Sequence, residues 1–137
     1  GVTAPDRERV EALMSAAGAT VWLDQESQMD VVTAISGSGP AYFFLLLEAL
    51  ESAGIASGLP SSTARLLAVE TARGAGLMAA ESGEAPAVLR EQVTSKGGTT
   101  AAALDVLEAA AVRDTFRRAV AAATLRSAQL ADEFGGA

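Results

Sequence analysis

The chain has 137 residues, of which half are hydrophobic and only 4% aromatic, and its formal net charge is −7. It contains no cysteine and no histidine, which excludes disulfides and thiolate metal sites and removes the most common general base and metal ligand, so no metal is expected. Lys96 is the only lysine and no basic stripe exists, which argues against nucleic acid as a partner.

The N-terminal segment predicts one amphipathic helix followed by one short strand. Thr3 and Asp6 have the three-residue spacing of a capping box, and the helix that follows them is expected to end near Gly18. Residues 20–23, with the sequence Thr-Val-Trp-Leu, are the only plausible strand in the chain. A second helix is then expected to run through Ile35.

The next helix begins at Ser38-Gly39-Pro40, because proline suits the first turn of a helix. Residues 42–50 are apolar on nearly every face, which predicts a helix that is buried on all sides. The uncharged stretch from Val31 to Leu47 is short for a membrane span and is interrupted by Gly37–Pro40, so no membrane is expected as a partner.

Four further helices are predicted in the C-terminal part of the chain, at about residues 62–82, 87–93, 101–111 and 114–134. In the last one, the expected inward positions are Phe116, Val120, Ala123 and Leu130. Alanine and leucine supply most of the apolar content, which favours closely packed helices over a sheet.

The sequence therefore predicts an all-α fold, a single helical-bundle domain of about six to seven helices. A helix that is apolar on all sides needs neighbours on all sides, so we expect the bundle to be interleaved with a second copy in a homodimer. The alternative is a monomeric bundle with residues 42–50 as its central helix.

The segment from Gln92 to Thr100 contains a short glycine loop that leads directly into a helix. The first turn of a helix has backbone N–H groups without intrahelical partners, and the macrodipole adds partial positive charge there. Gly97 and Gly98 would let a carboxylate or phosphate approach the backbone. The alternative is ordinary capping, in which Ser95, Thr99 or Thr100 satisfies its own helix end.

The remaining catalytic inventory is poor. Gly37-Ser38-Gly39 is not a dinucleotide fingerprint, because no strand precedes it and position 42, where a third glycine is required, is tyrosine. Carboxylates one turn apart, such as Glu26 and Asp30, are typical of solvated helix faces.

Three blocks of sequence resemble the 1-pyrroline-5-carboxylate reductase family in their order and spacing. They are the motif from Asp30 to Tyr42, the segment from Glu81 to Arg90, and the loop from Val93 to Thr100. The resemblance covers nearly the whole chain, from about Glu8 to Gln129. It implies an enzyme family that reduces 1-pyrroline-5-carboxylate to L-proline with NADPH or NADH, the last step of proline biosynthesis.

The resemblance also implies an N-terminal Rossmann domain for the cofactor and a C-terminal all-helical domain that dimerises. Residues 1–137 resemble the C-terminal domain alone, with the dimerisation surface and the substrate loop. We therefore expect this chain by itself to be inactive and to bind no NADPH. Implied partners are the small-molecule substrate and a homodimer mate, or a higher oligomer of dimers.

The site residues are implied position by position. Thr99 and Thr100 resemble the loop residues whose backbone N–H groups hold the substrate carboxylate, and Thr100 resembles the threonine whose hydroxyl lies near the ring nitrogen, the one catalytic assignment. Glu26 matches an acidic position at the substrate site, and Gln92 matches a position that reaches the cofactor. The other substrate-binding positions, which shape the loop, are Ser95, Gly97 and Gly98.

Lys96 departs from the family pattern, which usually has proline there. Lysine loosens the loop and adds a cation beside the anionic ligand. Two other readings remain: a stand-alone helical dimerisation module without catalytic activity, and the helical domain of a related hydroxyacid or phosphogluconate dehydrogenase. The last requires a catalytic lysine on a helix, whereas Lys96 lies in a loop. No targeting segment is apparent, which favours a cytoplasmic location.

Overall fold

The computed structural model describes residues 2–135, and within them the fold is all-helical. Seven α-helices and one π-helical turn follow one another through these residues. They are α1 (Ala4–Met14), α2 (Gln28–Val32), the π turn (Thr33–Gly37), α3 (Gly39–Ala56), α4 (Ser61–Glu81), α5 (Pro86–Gln92), α6 (Thr99–Ala109) and α7 (Val112–Gly135). The predicted all-α class is confirmed, and most helix boundaries agree within two residues.

No strand is present between residues 2 and 135, so the prediction of a strand at residues 20–23 is wrong. A single strand has no neighbour with which to form ladder hydrogen bonds, so β-favourable residues alone cannot make one. Trp22 instead packs on α1. Its indole Nε1 donates to Glu11 Oε1 at 2.5 Å, and the Arg7 guanidinium lies 4.6 Å from the centre of its ring. These two contacts attach α1 to the segment that contains Trp22, and α1 contacts no other described helix.

The remaining helices form two packed groups that meet at the π turn, which contacts both α3 and α7. In one group, α3 packs against α4, and α4 continues into contact with α5. Gly54 makes the α3–α4 approach possible, because a Cβ atom there would lie 3.1 Å from Ala64 Cβ. In the other group, α7 packs against α6 and also against α2 and the π turn. The helix predicted to end at Ile35 thus continues through the π turn to Gly37.

The single chain has almost no core of its own. Its buried apolar residues, within the part described, are Ala34, Ala64 and Ala68, and no large side chain is fully buried. The chain exposes 10565 Å² of accessible surface. A compact monomer of its mass would expose roughly 6,600 Å², so this chain exposes roughly 3,900 Å² more than a compact monomer does.

The apolar helix is the clearest part of this exposed surface. Within one chain Phe43, Phe44 and Leu45 are 65%, 61% and 67% exposed, so the alternative of a monomeric bundle with residues 42–50 as its central helix is wrong. The burial of these residues against a second copy stays a prediction. Phe116, predicted to point inward from α7, is half exposed as well. By length and composition alone, residues 28–56 could cross a membrane, although little of that stretch is buried. These exposed faces need an external partner, because the chain has too few helices to cover them.

Candidate functional site

The glycine loop lies between α5 and α6, and hydrogen bonds fix both of its ends. At the α5 end, the Thr94 hydroxyl donates to the Arg90 carbonyl at 2.5 Å, and the Thr94 backbone N–H donates to the Glu91 carbonyl at 3.0 Å. At the α6 end, the Gly98 N–H donates to the Ser95 carbonyl at 3.0 Å. These hydrogen bonds give the loop a defined shape.

Both glycines of the loop are required by its geometry. Gly97 has a φ of +69°, in the left-handed region where a side chain is strained. Gly98 adopts an ordinary φ, but a Cβ atom there would collide with the Ser95 hydroxyl and lie 3.2 Å from the Ser95 carbonyl oxygen. The Ser95 side chain and carbonyl thus lie directly against Gly98.

The first turn of α6 has backbone N–H groups without partners. Gly98 occupies the N-cap position and no side-chain cap hydrogen bond is made, so the alternative of capping by Ser95, Thr99 or Thr100 is not what the structure shows. The first helical bond runs from the Ala102 N–H to the Gly98 carbonyl at 3.2 Å. Within residues 2–135, the N–H groups of Thr99, Thr100 and Ala101 have no acceptor. Three convergent donors at a positive helix end can hold a carboxylate.

The structure brings together only part of the predicted site. Ser95, Gly97, Gly98, Thr99 and Thr100 form one continuous loop and helix start, and Gln92 is the exposed last residue of α5 at the entrance to that loop. Glu26 lies elsewhere, in the exposed turn before α2. The helix that follows Glu26, α2, contacts α7 and the π turn, and no contact joins it to α5 or α6, the helices on either side of the loop.

Lys96 stands at the turn of the loop and is exposed. It makes no ion pair with another residue in the described part of the chain. Its charge is therefore free to act on an anion near the loop. Thr94 was not among the predicted site residues, although it fixes the α5 end of the loop. The signal that could have found it is a threonine directly after a helix end, where its hydroxyl can bond the carbonyl four residues earlier.

An ion pair braces α6 against α7 behind the loop. Arg113 Nη2 lies 2.6 Å from Glu108 Oε1 across the turn between the two helices. The hydrogen bond from Arg113 lowers the pKa of the Glu108 carboxyl from its usual value, and the positive charge of Arg90 acts in the same direction. The same pair raises the pKa of the Arg113 guanidinium. Across residues 2–135, no group of three acidic side chains could hold a metal ion.

This arrangement, an open helical framework with a large uncovered apolar face and one glycine loop at a helix start, defines a helical assembly domain. The sequence profile described as pyrroline-5-carboxylate reductase dimerisation matches residues 26–130. The chain belongs to this family.

Curated relatives agree with the family assignment. The chain is 48% identical over 134 residues to a pyrroline-5-carboxylate reductase of Pseudomonas aeruginosa, covering 98% of this chain and 49% of that protein. It is 45% identical over 130 residues to one of Arabidopsis thaliana, covering 95% of this chain and 47% of that protein. The chain thus spans about half the length of the curated relatives it matches.

Solved structures share the fold. A pyrroline-5-carboxylate reductase from Coxiella burnetii superposes with a TM-score of 0.90 at 42% identity, over 94% of this chain and 48% of that one. The Plasmodium falciparum enzyme, solved with NADP bound, has a TM-score of 0.79 at 34% identity, over 93% of this chain and 50% of that one.

Proposed function

We propose that the chain supplies the dimerisation and substrate-loop domain of a pyrroline-5-carboxylate reductase, an oxidoreductase of proline biosynthesis. The complete enzyme would reduce 1-pyrroline-5-carboxylate to L-proline. The observation that carries this proposal is the preformed loop Val93–Gly98, followed by three unpaired N–H groups at the start of α6. The family membership supplies the reaction, and the loop supplies a place for the substrate carboxylate.

The proposed chemistry needs little from this domain beyond binding and one proton-handling contact. The N–H groups of Thr99 and Thr100 bind the substrate carboxylate at the positive end of α6. The Thr100 hydroxyl lies near the ring nitrogen and hydrogen-bonds it while the C=N bond becomes C–N. The carbon of that bond takes a hydride and the nitrogen ends with a proton, which balances the reduction. Positioning of the ring accounts for most of this contribution.

A nicotinamide cofactor, NADPH or NADH, would supply the hydride when bound. The described residues do not fit its pyrophosphate: they contain no strand leading into a glycine-rich helix start, and Gly37 and Gly39 lie within helical backbone. We therefore assign cofactor binding mainly to an N-terminal Rossmann domain outside these 137 residues, with Gln92 as the contribution of this domain.

The proposed assembly is a homodimer in which the helices of two copies interleave, alone or as the unit of a higher oligomer. Two apolar grooves flank α3 beside α7, with volumes of about 290 and 260 Å³, and both are lined by Tyr42, Leu46 and Phe116. The roughly 3,900 Å² of additional exposed surface is well above the ~800 Å² per partner of a standard interface, and fits an extensive interleaved one. Covering α3 with a second copy in place of lipid agrees with a soluble, cytoplasmic enzyme.

In this proposal Glu26 can contribute only to the substrate loop of the second copy. Because one chain does not bring it to the loop, a role at the substrate requires the loop of the second copy to approach the turn before α2. Glu26→Gln in the complete enzyme should then raise the KM for pyrroline-5-carboxylate. An unchanged KM would remove Glu26 from the site and leave the loop assignment intact.

The second candidate is a stand-alone helical dimerisation module without catalytic activity, favoured by the absence of a dinucleotide cradle in the described residues. An assay of turnover distinguishes the two candidate functions. It follows the loss of absorbance of the reduced nicotinamide cofactor when pyrroline-5-carboxylate is added. The complete protein, Rossmann half included, should turn over, and the 137-residue chain should neither turn over nor release heat on titration with NADPH. Normal dimerisation without turnover by the complete protein would favour the module.

A further inference from the structure

The junction between α2 and α3 is a π turn and not a continuous α-helix. The Ser38 N–H donates to the Thr33 carbonyl, five residues earlier, at 2.9 Å. In a regular α-helix that N–H would serve the Ala34 carbonyl instead. A π turn therefore leaves the Ala34 carbonyl in need of another donor, and Ala34 is completely buried.

Tyr42 provides this donor from the second turn of α3. Its phenol hydroxyl donates to the Ala34 carbonyl oxygen at 3.1 Å, across eight residues of sequence. On the other side of the turn, the Ser36 hydroxyl donates to the Val32 carbonyl at 2.8 Å. Two side-chain hydroxyls thus replace hydrogen bonds of a regular helix, and the Tyr42 bond joins the π turn to α3.

The π turn matters because it decides which face of α3 points outward. One additional residue in a helical turn rotates everything after it by about 100°. Before the turn, Asp30 of α2 faces α7, where Ser127 bonds it. After the turn, Gly54 of α3 faces α4, and Phe43 and Phe44 are left exposed. The turn thus lies between α2, which contacts α7, and α3, which contacts α4, and it sets the rotation of one relative to the other.

We propose that the π turn Thr33–Gly37 sets the register of the dimer interface, and that Tyr42 is the positioning residue that locks it through the Ala34 carbonyl. This rests on the homodimer of the proposed function. The turn fixes the rotation of α3, so that its aromatic face meets the second copy in one orientation. Removing the Tyr42 hydroxyl frees the Ala34 carbonyl and lets the turn adopt other registers.

Tyr42→Phe tests this while keeping the aromatic ring in its groove. The chain has no cysteine, so Glu81→Cys, at the exposed last residue of α4 and outside α3, gives a unique site for a spin label. The label-to-label distance across the dimer, measured by double electron–electron resonance, should be single and narrow in the parent. In Tyr42→Phe it should broaden or shift, and the dimer dissociation constant from sedimentation should rise by roughly tenfold, equivalent to about 1.4 kcal/mol.

Thr124→Val is the matched control, because Thr124 makes the same kind of hydroxyl-to-carbonyl bond, to Val120 at 2.9 Å, within regular helix α7. It should leave the distance distribution unchanged. An unchanged distribution and dissociation constant in Tyr42→Phe would overturn the register proposal while the dimer stands. Equal broadening in both variants would also overturn it, since any lost hydroxyl would then suffice. A monomeric parent chain would overturn the dimer and the register proposal together.

Discussion

The Ser127 hydroxyl donates to Asp30 Oδ1 at 2.8 Å, joining α7 to α2 across 97 residues of sequence in a part-buried position. It is the longest-range side-chain hydrogen bond among the described residues, and it joins α7 to the first turn of α2. The bond thereby connects the C-terminal helix to the N-terminal half of a chain that has few buried side chains.

Ser127→Ala should therefore destabilise the chain more than its small change in volume indicates. The variant leaves a part-buried carboxylate without its donor, and we expect the free energy of unfolding to fall by about 1–2 kcal/mol. Chemical denaturation at one fixed protein concentration measures this, because dimerisation makes stability depend on concentration. Ser52→Ala, on an exposed part of α3, is the control and should be neutral. Equal stability of the two variants would mean that the Ser127–Asp30 bond contributes nothing.

The close approach of α3 and α4 should fail when Gly54 gains a side chain. A Cβ atom at this position meets Ala64 Cβ at 3.1 Å, and Ala64 is buried and has no rotamer by which to move away. We expect Gly54→Val to lower the free energy of unfolding by about 1–3 kcal/mol. Gly74→Val, in the same pair of helices with no atom within 4 Å, controls for helix propensity and should be close to neutral. Equal melting temperatures for Gly54→Val and Gly74→Val would contradict this packing.

Ala111 is a position at which the chain should gain stability. It has a φ of 54°, in the left-handed region, at the turn between α6 and α7. Because Cβ is strained there and glycine has none, Ala111→Gly should raise the free energy of unfolding by about 1 kcal/mol. Ala103→Gly, inside α6, should instead lower it by about 0.5–1 kcal/mol. A lower melting temperature for Ala111→Gly would contradict the left-handed conformation.

The Glu108–Arg113 pair should make stability depend on acid. Arg113 lowers the folded-state pKa of Glu108 below its unfolded value, so the contribution of the pair is complete above the unfolded value and is lost as pH falls through the folded one. Both side chains are exposed, so the effect is small and screened by salt. Glu108→Gln should reduce the loss of melting temperature on acidification, whereas Glu8→Gln, which breaks no ion pair, should not. NMR titration of the Glu108 carboxyl measures the lowered pKa directly.

The helices were predictable from sequence because their caps, glycines and prolines stand at their ends, as at Pro40 and Pro86. The π turn was not, because neither its backbone bond from Ser38 to Thr33 nor the Tyr42 hydroxyl bond to Ala34 follows from a capping, glycine or proline pattern. The prediction of a strand at residues 20–23 was wrong because a strand needs a second strand with which to pair. The exposure of residues 42–50 within one chain was not predictable, because a segment that is apolar on nearly every face indicates that it is covered without indicating which molecule covers it.

The loop was recognisable for a different reason. Gly97 and Gly98 mark a turn that excludes side chains, and the threonines after them mark a helix start. The sequence left open whether Ser95, Thr99 or Thr100 caps that helix, since all three have suitable hydroxyls. The absence of a side-chain cap depends on rotamers set by the surrounding loop, including the fold of Ser95 over Gly98. The separation of Glu26 from the loop depends on tertiary packing and was equally beyond the pattern.

The central claim, that the start of α6 holds the substrate, is tested most directly by Thr100→Val in the complete enzyme. The variant keeps the shape and the backbone N–H and removes only the hydroxyl that would meet the ring nitrogen. We expect kcat/KM for pyrroline-5-carboxylate to fall roughly 10- to 150-fold, equivalent to about 1.5–3 kcal/mol, with little change in melting temperature. Thr99→Val is the matched control and should retain most activity, because Thr99 acts through its backbone. Near-normal kcat/KM in Thr100→Val, with a melting temperature lowered as for a lost helix cap, would contradict the claim.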